Sequence, residues 1–285
     1  MIKLITWNIQ WGLGCDGRVD LQRIKNVALE MADFDILCLQ EVANNFPGLR
    51  GSRATDEAKQ LAALFPGYEA IFGAAVEILV DRKIHQFGNM IIAKMPISQV
   101  SRHLLPWPAD PENKSMRRLA LEVVVDTDKG PIRIITTHLE SFSKKQRLAQ
   151  AERLRELHAE AYAKALRETL IDDSLTPFRT APRALSTIMT GDFNVRPNDP
   201  AHEVLSAPFA DSTPSLVDAW KIKHGADPHD PTFGIYCCDR TRFPDAPLCF
   251  DYIYVTEDIG KRIVNIEVNK NTDASDHQPM LFTLE

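Results

Sequence analysis

What most constrains this chain is a repeated pattern: apolar, β-branched runs of strand length that finish on a polar side chain. Residues 2–7 end at Asn8, residues 35–40 at Glu41, and residues 132–137 at His138. The run 184–189 leads into Thr190-Gly191-Asp192-Phe193-Asn194-Val195. Near-continuous apolar runs of this length read as strands buried on both faces. Between them lie helical patterns, as where Asp20 precedes the stripe Leu21, Ile24, Ala28 and Met31, an N-cap followed by one apolar face. Strands alternating with helices predict an α/β fold. In such folds functional groups collect outside strand ends. Beyond Gly191, two-residue periodicity predicts Asp192 and Asn194 on the same side of the chain.

The remaining elements follow the same grammar. A helix is expected at 54–64, strands at 68–80 and 87–94, and two more strands within 97–125 around a proline-rich loop. Ser143-Lys144-Lys145-Gln146 matches a capping box and begins the longest helix, to about residue 170. Residues 172–182 read as a surface insertion, 199–205 as a short helix, and 221–250 as one long loop. A strand at 250–255 carries Asp251 at its start, another spans 263–268, and Ser275-Asp276-His277 precedes a closing strand from Met280. Trp7-Asn8 is echoed by Phe193-Asn194, which predicts two similar halves packed face to face. Polar strand ends run from residue 8 to residue 277, so residues 1–285 are expected to form a single domain.

Charge and cysteine usage narrow the setting. A formal net charge of −6 gives no global basic field to attract nucleic acid. A bound cation can still reverse the sign locally. Lys114, Arg117, Arg118, Lys144, Lys145, Arg147 and Arg196 flank the polar strand ends and offer local contacts to a polyanion. Cys15, Cys38, Cys237, Cys238 and Cys249 are odd in number and contain no CxxC. The start of the chain lacks the charged and apolar regions of a signal peptide, and no apolar stretch reaches the roughly 18 residues of a membrane span. A cytoplasmic location follows as the expectation, with Cys237, Cys238 and Cys249 read as free thiols in a loop in preference to a metal-binding or redox group. No protein partner is expected.

Collected, the polar residues are Asn8, Glu41, His138, Asp192, Asn194, Asp251, Asp276 and His277. Oxygen donors dominate, a set suited to Mg²⁺ or Mn²⁺ rather than structural zinc. A hard cation among carboxylates, amides and imidazoles fits attack by water on a phosphate ester. Asp276 and His277, adjacent in an extended segment, are expected to face opposite sides. Asp251 is placed to set the tautomer of His277.

In order, Thr6-Trp7-Asn8-Ile9-Gln10, Leu39-Gln40-Glu41-Val42, Gly88-Asn89, Thr137-His138-Leu139, Gly191-Asp192-Phe193-Asn194, Asp251-Tyr252-Ile253 and Ser275-Asp276-His277 resemble the motifs of the endonuclease/exonuclease/phosphatase superfamily. The resemblance implies a four-layer α/β sandwich, with two stacked mixed sheets flanked by helices as in DNase I. It implies a divalent metal, Mg²⁺ or Mn²⁺, at Glu41 assisted by Asn8 and Asp276. Asp192 would then orient or deprotonate water, Asn194 and His277 would bind the scissile phosphate, and His138 would contact phosphate or assist the leaving group. Gln10 and His138 depart from the abasic-site nucleases, and Phe250 stands where an arginine often precedes the Asp-Tyr-Ile strand. The Thr-His-Leu-Glu-Ser run at 137–141 is most similar to the tyrosyl-DNA phosphodiesterase and DNase I-like branches. The expected activity is therefore phosphodiester hydrolysis of nuclease or DNA-end-processing type. A phosphatase or phosphodiesterase acting on a small phosphorylated metabolite or lipid head group is the alternative, and a non-catalytic scaffold is a third.

Overall fold

A computed structural model describes residues 1–167, 172, 174–179 and 184–285. It contains two six-stranded mixed sheets. The first runs β11 (Ile263–Val268), β12 (Met280–Leu284), β1 (Ile2–Asn8), β2 (Ile36–Asn44), β4 (Lys83–Ala93), β3 (Glu69–Val80). The second runs β5 (Ile97–Leu104), β6 (Leu119–Val125), β7 (Ile132–His138), β8 (Ser186–Asp192), β10 (Asp251–Val255), β9 (Val217–Asp218). β1 lies between parallel β2 and antiparallel β12, and β8 between parallel β7 and antiparallel β10. The two strands that end on Trp7-Asn8 and lead into Phe193-Asn194 thus hold equivalent places in the two halves.

Strand periodicity sorts side chains into layers. Leu4, Ile36, Cys38, Ile91, Leu121, Ile134, Ile188, Ile253 and Phe282 form one buried cluster between the sheets. The alternate residues Ile5, Trp7, Leu37 and Leu39 pack with Leu21, Ile24 and Ala28 of α1 (Leu21–Met31) and Leu61 of α2 (Glu57–Leu64). On the far side, Ile135, Met189, Tyr252 and Tyr254 meet Leu154 of α3 (Lys144–Ala165) and Leu205 of α4 (Pro200–Ser206). Helix, sheet, sheet, helix is the expected four-layer sandwich. Each fully buried Leu or Ile in these layers contributes about 1.5–3 kcal/mol over leaving it exposed. The caps also form: the Asp20 and Ser143 side chains accept the backbone N–H of Arg23 and Gln146.

Several sequence expectations are corrected. β2 does not stop at Glu41 but continues to Asn44 through a register shift between Leu39 and Val42. α3 ends at Ala165, short of 170, and the described residues of the 172–182 insertion, 172 and 174–179, form no helix or strand. The stretch 221–250 is not all loop, since α5 (Ala219–His224) fills its start. A short helix, α6 (Glu257–Gly260), and strand β9 were not anticipated. Cys237 is not a free thiol: it forms a disulfide with Cys15, with a Cα–Cα distance of 5.6 Å, while Cys38, Cys238 and Cys249 are free. Cysteine usage therefore gives no support for a reducing compartment. Among the described residues no helix is long and apolar enough to cross a membrane.

Candidate active site

The inward-facing row of each central strand changes character toward one rim. Leu4-Thr6-Asn8, Cys38-Gln40, Ile134-Thr136-His138 and Ile188-Thr190-Asp192 each run from apolar to polar, and the antiparallel β10 reaches the same rim with Asp251. Registry aligns the second sheet's groups, because Asp192 sits opposite His138 on β7 and opposite Asp251 on β10. Gly191, at φ 141°, is required there, since a Cβ would lie 1.9 Å from the Thr137 carbonyl oxygen. Between the sheets, Gln40 Nε2 donates to Thr136 Oγ1 at 2.8 Å and Asn89 Nδ2 to the Leu119 carbonyl at 3.0 Å, so the polar row is also a cross-sheet tie.

Alternation alone would turn Glu41 toward the helices, because Gln40 faces inward. The bulge resolves this by placing Glu41 at φ 60°. Bulges re-aim side chains in this way. Gln10 at φ 46° and Asn194 at φ 51° adopt the same left-handed backbone. Each such residue costs on the order of 1 kcal/mol or more, and such strain tends to gather at functional sites. Asn194 therefore does not follow period-2 alternation: it lies in a turn after β8. Its backbone N–H donates to Asp192 Oδ1 at 2.9 Å and its Nδ2 to the Leu139 carbonyl at 3.0 Å.

Asp192 is the hub. Asn8 Nδ2 donates to its Oδ2 at 3.0 Å, while His138 Nε2 and His277 Nε2 lie 3.4 and 3.5 Å from the same oxygen. Asn8 Nδ2 also reaches Glu41 Oε1 at 3.2 Å. His277 Nδ1 lies 2.8 Å from Asp251 Oδ2. Asp276 turns the other way and accepts Gln10 Nε2 on Oδ2 at 2.9 Å. Ser275 Oγ donates to the Asn8 carbonyl at 2.8 Å and Trp7 Nε1 to the His277 carbonyl at 2.9 Å, fixing the 275–277 segment against β1. All eight residues singled out from sequence thus meet at one rim.

Burial sets the charge states. Desolvation raises the carboxyls of Glu41, Asp192 and Asp276, the last two to about 6. For His277 burial alone would favour the neutral ring, but the Asp251 and Asp192 carboxylates outweigh it and hold the imidazole well above its usual range. Burial, Arg118 and His277 push His138 well below that range, so it is neutral. Two imidazoles within reach of one carboxylate oxygen therefore carry different protonation states.

A hard cation fits this set. Glu41 is close enough for its charge to act on Asp276, and neither has a Lys or Arg within 4 Å among the described residues. Asp192, Asp251 and His277 also offer ligand atoms all within 4.8 Å of one another. That second group is already joined internally by the His277–Asp251 contact, and His277 is held as a cation. The Glu41–Asp276 side therefore suits a metal better.

These groups line a cavity of about 850 Å³. Trp11, Phe46, Leu49, Val76 and Phe87 give it an apolar wall, and Lys114, Arg118 and Arg242 a basic one. Of the other flanking cations, Arg147 and Arg196 are engaged by Asp199 and Asp245, and Arg117 lies over Trp107. Arg242 was not singled out from sequence, whereas Gln10 and Ser275 were named within motifs but given no role in the site.

Comparison with known proteins bears on the family and the fold. A sequence model of the Endonuclease/Exonuclease/phosphatase family matches residues 5–277. No curated protein matches. Among solved structures, the fold is similar to the Bacteroides thetaiotaomicron mannosyl-6-phosphatase Bt3783, at 19% identity over 100% of both chains with a TM-score of 0.67. It is similar to the human Nocturnin catalytic domain, at 17% identity over 100% of this chain and 93% of that one, TM-score 0.62. It is also similar to a humanized D. rerio TDP2, at 18% identity over 100% and 98%, TM-score 0.61.

Proposed function

The chain belongs to the endonuclease/exonuclease/phosphatase family, and from that premise we propose that it is a divalent-metal-dependent phosphodiester hydrolase, with residues 1–285 as one catalytic domain. The observation that carries the proposal is the convergence on Asp192 Oδ2 of Asn8 from one sheet and His138 and His277 from the other segments of the rim. Asp192 orients a water and takes its proton, and a carboxyl raised to about 6 is near the range where a base works best at neutral pH. His277, kept protonated by Asp251, and Asn194 hold the scissile phosphate. Neutral His138 contacts the phosphate or the leaving oxygen. Glu41 and Asp276, with Asn8 assisting, are the residues that would hold Mg²⁺ or Mn²⁺. Such an ion, when bound, supplies Lewis-acid polarisation of the phosphoryl oxygen.

Within that chemistry the favoured substrate is nucleic acid or a DNA end, supported by the basic wall of the cavity. The apolar wall of the cavity favours, as a second reading, a small phosphorylated metabolite.

The test uses purified protein with Mg²⁺ or Mn²⁺. Bis-p-nitrophenyl phosphate should be hydrolysed, and a panel of single- and double-stranded DNA, RNA, 5′-phosphotyrosyl DNA and inositol phosphates ranks substrates. Turnover of a polynucleotide should fall steeply with ionic strength, so a flat response would move the assignment to the small-molecule reading. Absence of hydrolysis with either metal would overturn both.

A further inference from the structure

Arg242 stands on the cavity wall outside any close ion pair: among the described residues no carboxylate oxygen lies within 4 Å of its guanidinium nitrogens, although Glu140 and Asp239 act on its charge. It is nonetheless held in place. Its Nη2 donates to the Ser141 carbonyl at 2.9 Å and to Ser141 Oγ at 2.6 Å. Its guanidinium carbon lies 3.7 Å from the ring centre of Phe142 and 4.7 Å from that of Phe243. Contact with two rings and the Ser141 bonds hold the guanidinium, leaving its Nε–H and Nη1–H groups to donate charge-assisted hydrogen bonds to an anion. Ordering so long a side chain ordinarily opposes binding, and here the protein has ordered it beforehand.

Its position along the wall decides what it meets. Arg118 Nε donates to Glu140 Oε2 at 3.3 Å, and Arg242 is anchored on the next residue, Ser141. Arg118 is 4% exposed, and its Nη1 is buried without a hydrogen-bond partner. Its charge acts on Glu41 and His138, so it belongs to the reacting centre. Arg242, from the loop before β10, is exposed on the wall of the same cavity, where Glu140, Asp239 and Asp192 act on its charge.

We infer that Arg242 forms a second anion subsite, which binds a phosphate of the substrate other than the one hydrolysed. The inference rests on the hydrolase reading and narrows it to substrates with at least two phosphates. A neighbouring phosphodiester of a polynucleotide and a further phosphate on a small sugar share this chemistry.

The test compares ligands differing by one phosphate. Equilibrium binding to the Mn²⁺-loaded protein is measured by calorimetry for thymidine 3′,5′-bisphosphate against thymidine 5′-monophosphate, and for inositol 1,4-bisphosphate against inositol 1-phosphate. Wild type should prefer the bisphosphate in at least one pair by roughly tenfold or more, and Arg242→Gln should bring that ratio close to one. Preference in the nucleotide pair points to a polynucleotide, in the inositol pair to a sugar phosphate. No preference in either pair, or a ratio that survives Arg242→Gln, overturns the subsite. Arg242→Lys separates charge from scaffolding: a binding subsite keeps part of the ratio, whereas equal weakening of mono- and bisphosphate would mark a structural role and overturn the inference. The p-nitrophenyl esters of thymidine 5′-phosphate and thymidine 3′,5′-bisphosphate extend the comparison to turnover. Turnover of neither ester with a preserved binding ratio would fail the hydrolase reading and leave the subsite standing.

Discussion

Asn8 and Asp192, 184 residues apart and on different sheets, are joined by a 3.0 Å hydrogen bond from Nδ2 to Oδ2. The bond spans the gap between the sheets at their polar rim, so it reports whether the two halves are seated correctly. It also spends one of the lone pairs that Asp192 would otherwise offer to water.

Asp192→Asn preserves shape and removes the base. Its kcat on bis-p-nitrophenyl phosphate should fall by about 10³-fold, in line with loss of a positioned base together with its charge. A melting temperature near that of wild type will show that the fold is intact, and near-normal turnover would remove Asp192 from the mechanism.

Asp251→Asn addresses His277. The Asp251 and Asp192 carboxylates raise the imidazole well above its ordinary value against the effect of burial, so wild type keeps the ring charged through neutral pH. Removing one anion lowers that value. The alkaline limb of the pH–rate profile should therefore move to lower pH in the variant, and an unmoved limb would show that His277 does not work as an imidazolium.

Gln10 supports Asp276 through the 2.9 Å bond from Nε2 to Oδ2. Groups that orient a metal-binding carboxylate typically matter by about 10–100-fold in affinity. Calorimetric titration with Mn²⁺ should show a loss of that order for Gln10→Ala and a larger one for Glu41→Gln. Unchanged affinity in Glu41→Gln would relocate the ion.

Glu57 carries a stability signature of its own. It is 3% exposed and accepts the Ala43 N–H at 2.9 Å behind the Glu41 bulge. Burial raises its carboxyl to about 8, the hydrogen bond only partly opposing this. The folded chain then keeps a proton that the unfolded chain loses from about pH 4.5, the ordinary value, upward. Stability from this group is full below that pH, declines as pH rises toward 8 by at most about 1.4 kcal/mol per pH unit, and is flat above. Glu57→Gln keeps the acceptor and should flatten the curve. An identical pH dependence of Tm in both proteins would reject the assignment.

The Cys15–Cys237 bridge closes a loop with a sequence separation of 222. Chain-entropy reasoning gives such a link at most about 5.5 kcal/mol through the unfolded state. Cys15→Ser should lower Tm, and dithiothreitol should lower it in wild type but not in the variant. Equal Tm values would show that the bridge adds nothing to stability.

The inward rows explain how much of the site was legible. Asn8, His138 and Asp192 are the last inward residues of apolar strands, and a local period of two is enough to place them. Asp251 needed the antiparallel partner as well, because it reaches the rim by beginning a strand. Glu41 shows the limit: its residue type was informative, yet alternation pointed it outward, and only the bulge opposite Asn89 turns it in. Arg242 left no local signal, since its role comes from Phe142, more than ninety residues away in a different loop.

By itself, then, the sequence determined the strands, the polar rim and the class of chemistry, because these depend on periodicity and residue type over a few neighbouring positions. Tertiary structure alone decided that Glu41 faces the site, that Cys15 meets Cys237, that His138 is neutral while His277 is charged, and that Arg242 is held on the cavity wall. Those outcomes depend on distances and desolvation between segments far apart in the chain, and no local pattern encodes either.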